Sequence, residues 1–216
     1  TNFWNTFKWR MPVAANTARY NTGLKSDAKD DKALYTYGEK ELWYMHSIES
    51  KNMVATFYIS DRRDGNPVTG EDGGLDNTTG RTVLKKLDKI NLYTKADYLK
   101  YGANARPVKT VHFEYDYSIC PSFPLNDQVP ETKNGVNINA AKGKLTLKAI
   151  WFSYNGNNNQ VKNKYAFKYA ATVGSINTNP SYNSTENDRW GNYKPASANP
   201  VAGLNNEDFP YTIQDQ

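Results

Sequence analysis

His112, Glu114 and Asp116 are residues of types that do acid–base chemistry, set at alternate positions. An imidazole beside two carboxylates can move protons near neutral pH when burial and mutual charge tune the groups. The intervening positions are Val111, Phe113, Tyr115 and Tyr117. Strict period two predicts a strand with an aromatic core face, and it places the three titratable residues on a solvated opposite face. The alternation alone accounts for the pattern, so no catalytic residue is assigned. His46 is the other histidine. Two histidines without a CxxC or HExxH frame make no zinc site, so no metal ligand is assigned either.

Two further groups could bind rather than catalyse. Asp61, Asp64, Glu71 and Asp72 lie in DRRDGNPVTGEDGGLDNTTG, residues 61–80. Clustered carboxylates can hold calcium, but the EF-hand spacing is missing and Arg62 and Arg63 offset the charge. The Gly, Pro, Asn and Asp density predicts a surface loop, with calcium binding by residues 61–74 left open. Trp43, Trp151 and Tyr154, with Trp190 and Tyr193, could form flat platforms for sugars, since CH groups stack on rings and nearby amides pair with hydroxyls. Core packing is the simpler expectation. Trp190 before Gly191 reads as an indole anchored on a sheet beside a backbone turn. Cys120 before Pro121 reads as a buried strand-end residue.

The composition excludes several classes. The sequence has 27 basic and 22 acidic residues for a net charge of +5, and the two signs are interspersed. Basic pairs such as Lys85 and Lys86 are not gathered into a tract, so nucleic acid is not an expected partner. With one cysteine, no internal disulfide can form. No apolar stretch reaches the length of a membrane helix. No G-x-S-x-G, Walker loop or dinucleotide fingerprint occurs. Glycosidase carboxylates carry no universal motif, so a hydrolase stays an alternative, and the expectation is no enzyme and no cofactor. Hydrophobic residues are 38% and aromatics 13%, led by 16 Tyr. Tyr and Phe suit a half-buried pleated surface, and Asn and Gly suit turns. This is an all-β composition with long polar loops.

The elements that must position these residues follow from alternation and turn signals. Residues 1–11 carry Phe3, Trp4, Phe7 and Trp9 and read as one strand. Residues 12–40 read as a polar loop with a brief strand near 35–37. Strands are expected at 42–49 and 53–60 around a short Ser50-Lys51-Asn52 turn, then at 87–94, 108–117, 144–154 and 164–169, with a turn of helix at 95–100. From Thr172 the chain is rich in turn residues. The division is an N-terminal strand and loop (1–40), three hairpin-like strand pairs (41–170) and a loop-rich part (171–216), all one β-rich segment. Both termini read as cut from a longer polypeptide.

The strand pairs repeat. First strands carry an apolar residue three before an isoleucine: Met45 and Ile48, Leu87 and Ile90, Leu147 and Ile150. Second strands carry Phe followed closely by Tyr: Phe57 and Tyr58, Phe113 and Tyr115, Phe167 and Tyr169. One hairpin buries too little to be stable, so neighbours must associate. The predicted core is Ile48, Phe57, Ile90, Phe113, Tyr115, Ile150, Phe167, Tyr169 and Trp190. The expected fold is a set of stacked antiparallel hairpins, as a shell or an open sheet or sandwich.

These units resemble the tyrosine-aspartate (YD/Rhs) repeat shells and the B components of bacterial toxin complexes. Phe113-Glu114-Tyr115-Asp116 matches the F-x-Y-D of that repeat, and Asp188-Arg189-Trp190-Gly191 matches a D-x-W-G motif of the same shells. Segments 37–52 (YGEKELWYMHSIESKN), 107–120 (PVKTVHFEYDYSIC), 143–154 (GKLTLKAIWFSY) and 188–195 (DRWGNYKP) also resemble, in order, very large secreted proteins of Bacteroidetes-type bacteria. That resemblance carries no established activity. Together they imply a secreted or cell-surface structural protein, a wall that encloses or presents other segments of the same large polypeptide or packs on identical subunits. A glycan- or surface-binding adhesin and a secreted hydrolase are the alternatives.

Overall fold

The computed structural model describes residues 6–11, 13, 35–123, 132–133, 136–137, 143–157, 164–169, 172–173, 176–183, 185–188, 190–206 and 209. The strands are β1 (Thr6–Met11), β2 (Thr36–Glu41), β3 (Ser47–Glu49), β4 (Met53–Asp61), β5 (Lys85–Thr94), β6 (Lys109–Ile119), β7 (Thr132–Lys133), β8 (Val136–Asn137), β9 (Lys144–Tyr154), β10 (Tyr165–Ala166), β11 (Thr172–Val173) and β12 (Ile176–Asn177). One α-helix among the described residues, α1 (Lys95–Tyr101), joins β5 to β6 through a 3-10 turn. The all-β class expected from composition holds. Phe3 and Trp4 lie outside the described residues.

The chain divides into two compact units, residues 42–66 with 83–181 and residues 1–41 with 67–82 and 182–216. The first is a six-stranded antiparallel sheet in the order β3-β4-β5-β6-β9-β10. It is a meander, with β7–β8 as a small hairpin inserted between β6 and β9. The expected strand at 42–49 is shorter, since only Ser47–Glu49 pairs with β4. The helix starts where Thr94 caps it: its Oγ1 accepts from the Asp97 amide at 3.2 Å and donates to Asp97 Oδ2 at 2.7 Å. It ends at Gly102, whose φ of 57° terminates the turn.

The sequence repeat is a register rule. Ile48 stands opposite Ala55, Ile90 opposite Val111 and Ile150 opposite Tyr165. In each case the partner is two residues before the phenylalanine of that unit. Each phenylalanine then faces the isoleucine of the next unit: Phe57 opposite Ile90 and Phe113 opposite Ile150. The L-x-x-I spacing has its own cause. Three residues apart on a regular strand would face opposite sides, but Asp88 and Lys148 are each an extra, unpaired residue. The bulges return Leu87 and Leu147 to the isoleucine face, opposite Ile59 and Tyr115.

Alternation gathers Phe57, Ile90, Val111, Phe113, Ile150 and Phe152 on one face, all of them half-buried. The deepest burial lies on the other face, at Val54, Tyr93 and Ala149 (each 1% exposed) and along Thr56, Asn91, Thr110 and Ser153. Short side chains between tall ones are shaded by their neighbours, and Tyr98 of α1 packs on Tyr93 with ring centroids 5.3 Å apart. The predicted core therefore needs correction. Phe57, Ile90, Phe113, Tyr115 and Ile150 are half-buried, whereas Ile48, Phe167, Tyr169 and Trp190 are exposed. Ile48 sits on an outer strand and Phe167 and Tyr169 follow one, so among the described residues each has a strand neighbour on one side only.

Residues 61–66 are likewise no free surface loop. Arg62 N–H donates to the Leu84 carbonyl, and Leu84 N–H donates to the Gly65 carbonyl. A Cβ on Gly65 would lie 2.5 Å from Leu84 Cβ, so this approach requires glycine. Arg63 is buried, gives its amide to Tyr117 Oη at 2.9 Å and lays its guanidinium over that ring.

In the second unit β1 and β2 pair antiparallel from Thr6 opposite Glu41 to Met11 opposite Thr36. Val68 N–H donates to the Lys8 carbonyl, and Phe7 and Val68 are buried. Trp9 lies across Gly38, its cross-strand partner, where a Cβ would meet the indole at 2.8 Å.

Candidate functional site

The chemistry-bearing side chains converge on the polar face of β4, β5, β6 and β9. Register sets two neighbouring rungs there. One is Thr56, Asn91, Thr110 and Ser153; the next is Tyr58, Lys89, His112 and Trp151. His112 stacks flat on its partner Trp151, with centroids 3.7 Å apart and planes 5° from parallel. Its Nε2 is 2.8 Å from Ser153 Oγ. Thr110 Oγ1 donates to Asn91 Oδ1 at 2.9 Å, Asn91 Nδ2 donates to Tyr93 Oη at 2.7 Å, and Tyr93 Oη lies 3.3 Å from Tyr58 Oη. Lys89 Nζ sits 4.6 Å above the Tyr58 ring.

Burial acts first on the histidine: it lowers the His112 pKa, nearby Lys89 lowers it further, and Glu114 opposes both. The imidazole is therefore held toward its neutral form. The Tyr93 hydroxyl is pushed up by burial, while its hydrogen bond to Tyr58 lowers that partner.

A histidine nitrogen within hydrogen-bond reach of a serine oxygen is the contact used to activate a nucleophile. Here Ser153 is 1% exposed, and His112 is pinned between the serine and the indole. A nucleophile must reach its substrate, and the contact bridges β6 and β9. Trp151 Nε1 is buried with no hydrogen-bond partner among the described residues. Glu114 acts on His112 through its charge, but the ion pairs of Glu114 and Asp116 are with lysines. Lys164 Nζ is 2.5 Å from Glu114, and Lys148 Nζ is 3.4 Å from Asp116, which also accepts from Ser118. The face expected to be solvated is thus a packed, partnered one around His112. Sequence reading missed Ser153, Asn91 and Thr110, because single Ser, Asn and Thr residues carry no pattern until register aligns them.

The other candidate groups have partners of their own. Asp61 pairs with Lys85; Asp64, its side chain 1% exposed, pairs with Arg62 at 2.7 Å and accepts the Leu145 amide at 3.0 Å. Glu71, in the other unit, accepts from Tyr35 Oη. The proposed aromatic platform is not assembled either. Trp151 and Tyr154 project from opposite faces of β9, and Trp43, 79% exposed, precedes the far edge strand β3. Cys120 is half-buried just after β6 and gives its amide to Asn179 Oδ1.

The D-x-W-G segment forms a closed turn. Asp188 accepts from the Trp190 and Asn192 amides, both at 2.9 Å, and from Asn192 Nδ2 at 3.2 Å. Gly191 takes a φ of 83°. The turn matches expectation, but the indole does not: at 66% exposure Trp190 points outward, and the buried Asp188 carboxylate is the anchor. Comparison of the chain with protein-family models, with curated proteins and with solved structures finds no match.

Proposed function

We propose that this chain is a non-catalytic structural segment, a wall of a larger β-rich assembly that is secreted or displayed at the cell surface. The observation that carries the reading is the register rule across three successive units, Ile48 to Ala55, Ile90 to Val111 and Ile150 to Tyr165. A repeat that fixes how each strand pair meets the next is a device for extending a sheet. The residues that could have done chemistry support it. His112, Ser153, Glu114 and Asp64 each hold one strand or loop against another. Amide hydrogen exchange tests the reading: residues of β4, β5, β6 and β9 exchange as one slow cooperative block. Separate, fast exchange of β4–β5 and β6–β9 would sink it.

A second reading, surface binding through exposed rings, rests on Trp43 at 79% exposure. Titration of tryptophan fluorescence with a panel of mono- and oligosaccharides separates the two. A saturable shift that Trp43→Ala abolishes would favour the adhesin; a flat response favours the wall.

A further inference from the structure

The register rule leaves one unfilled position at each side of the sheet. Phe57 and Phe113 each face an isoleucine of the next unit, whereas Phe167, their equivalent, faces no strand among the described residues. At the other edge Ile48 has β4 on one side and no described strand on the other. Both positions are exposed, Ile48 at 52% and Phe167 at 39%.

We propose that the β3 edge of one copy of this chain pairs head to tail with the β10 edge of a second copy, with Ile48 opposite Phe167. The inference deepens the structural reading and rests on it. Three features of the two edges agree. First, polarity: β3 runs parallel to β5 and β9, so a copy of β3 laid beside β10 continues the antiparallel order. Second, the backbone: Phe167 gives its amide inward to the Lys148 carbonyl at 2.8 Å, and the His46 carbonyl accepts inward from Phe57 at 2.9 Å. Alternation therefore turns the amide and carbonyl of Lys168 and of Ser47 toward the open edges. The rule pairs these two residues, in the places held by Tyr58 and Lys89 within the sheet. Third, charge: Glu49 of the incoming copy falls opposite Ala166, diagonal to Lys164 and Lys168 on the same face. Lys164 already pairs with Glu114 and Glu49 with Lys95, and the cross-edge register adds a position of opposite charge beside both groups. Such a contact is heterologous, and each added copy presents the same free edge again.

The test is sedimentation velocity of the whole chain over a concentration series, with disulfide trapping. Concentration-dependent association is expected for the unaltered chain. Lys168→Pro, which removes the outward amide and leaves the Phe167 bond, abolishes it, and Glu49→Lys weakens it. In a Cys120→Ser background, Ile48→Cys and Phe167→Cys chains form a disulfide-linked dimer when mixed and none alone. A monomer at every concentration overturns the proposal, as does association unchanged by Lys168→Pro and Glu49→Lys, or self-linking of either single-cysteine chain. Where Lys168→Pro unfolds the sheet, Glu49→Lys and the mixed-cysteine result decide. A monomer with one slow-exchanging sheet would end the pairing proposal while leaving the structural reading standing.

Discussion

Tyr115 donates its hydroxyl to the Leu87 carbonyl at 2.9 Å, across the boundary between β6 and β5. Tyr169 makes the same bond to the Leu147 carbonyl at the same distance, one unit further on. In both places the acceptor adjoins the bulge of its L-x-x-I motif. A bulge disrupts the ladder locally, and the tyrosine supplies a hydrogen bond to the backbone there.

Tyr115→Phe keeps the ring and removes that bond, so a loss of about 1 kcal/mol is expected. The smaller loss falls on Tyr169→Phe, because Tyr169 is 48% exposed and water replaces its bond. Urea unfolding of the two variants checks the order. Equal losses would mean that the hydroxyls do not act at the bulges.

Gly143 immediately precedes β9, and a Cβ there would lie against the Ile119 and Tyr117 carbonyl oxygens, a clash with backbone. Gly143→Ala is expected to destabilise by about 1–3 kcal/mol, since backbone cannot rotate aside. Gly70→Ala, with nothing near its Cβ position, serves as the control in the same thermal melts.

The pH dependence follows from His112. Its folded pKa lies below the unfolded value, so the unfolded chain binds the proton more readily. The stability it contributes is whole above the ordinary histidine pKa of 6.5 and is lost as pH falls through the lowered folded value. Unfolding measured across that window should show stability falling with acid, and His112→Gln should flatten the slope. An unchanged slope in the variant would assign the effect to other groups.

Asp188→Ala removes the acceptor of three hydrogen bonds at a residue that is 5% exposed. Its expected cost is about 1–3 kcal/mol. Trp190→Ala, at a ring 66% exposed, should stay within about 0.5 kcal/mol. The reverse order in chemical denaturation would restore the indole as the anchor.

Much of the sheet was legible because its signal is local. Alternation at 111–117 and the apolar run at 144–154 give β6 and β9, and the L-x-x-I and Phe-Tyr pairs mark the units. What alternation cannot give is which face is deeper. The isoleucine face is the more apolar, yet Thr110 and Ser153 are more buried than Ile90 or Phe113, because short side chains lie in the shade of taller ones. Nor could sequence place His112 against Trp151 and Ser153. That contact depends on a partner strand 39 to 41 positions away, and on a bulge that fixes how far the strand slides. In the sequence Arg63 and Asp64 read as loop charges; their burial goes with partners that sequence does not show, among them the Tyr117 hydroxyl and ring for Arg63 and Arg62 and the Leu145 amide for Asp64.

The two-residue offset between an isoleucine's partner and the next phenylalanine has a geometric consequence. Crossing two strands moves the equivalent position two residues along the strand axis, from Ile48 to Ile90 to Ile150. With about 3.4 Å per residue and about 4.8 Å between strands, the line of isoleucines slants about 35° from the perpendicular to the strands. That is a shear of about one residue per strand, close to the strand tilt of small closed barrels. Units added at either edge therefore climb as they extend, and a wall built by this rule winds obliquely rather than running straight.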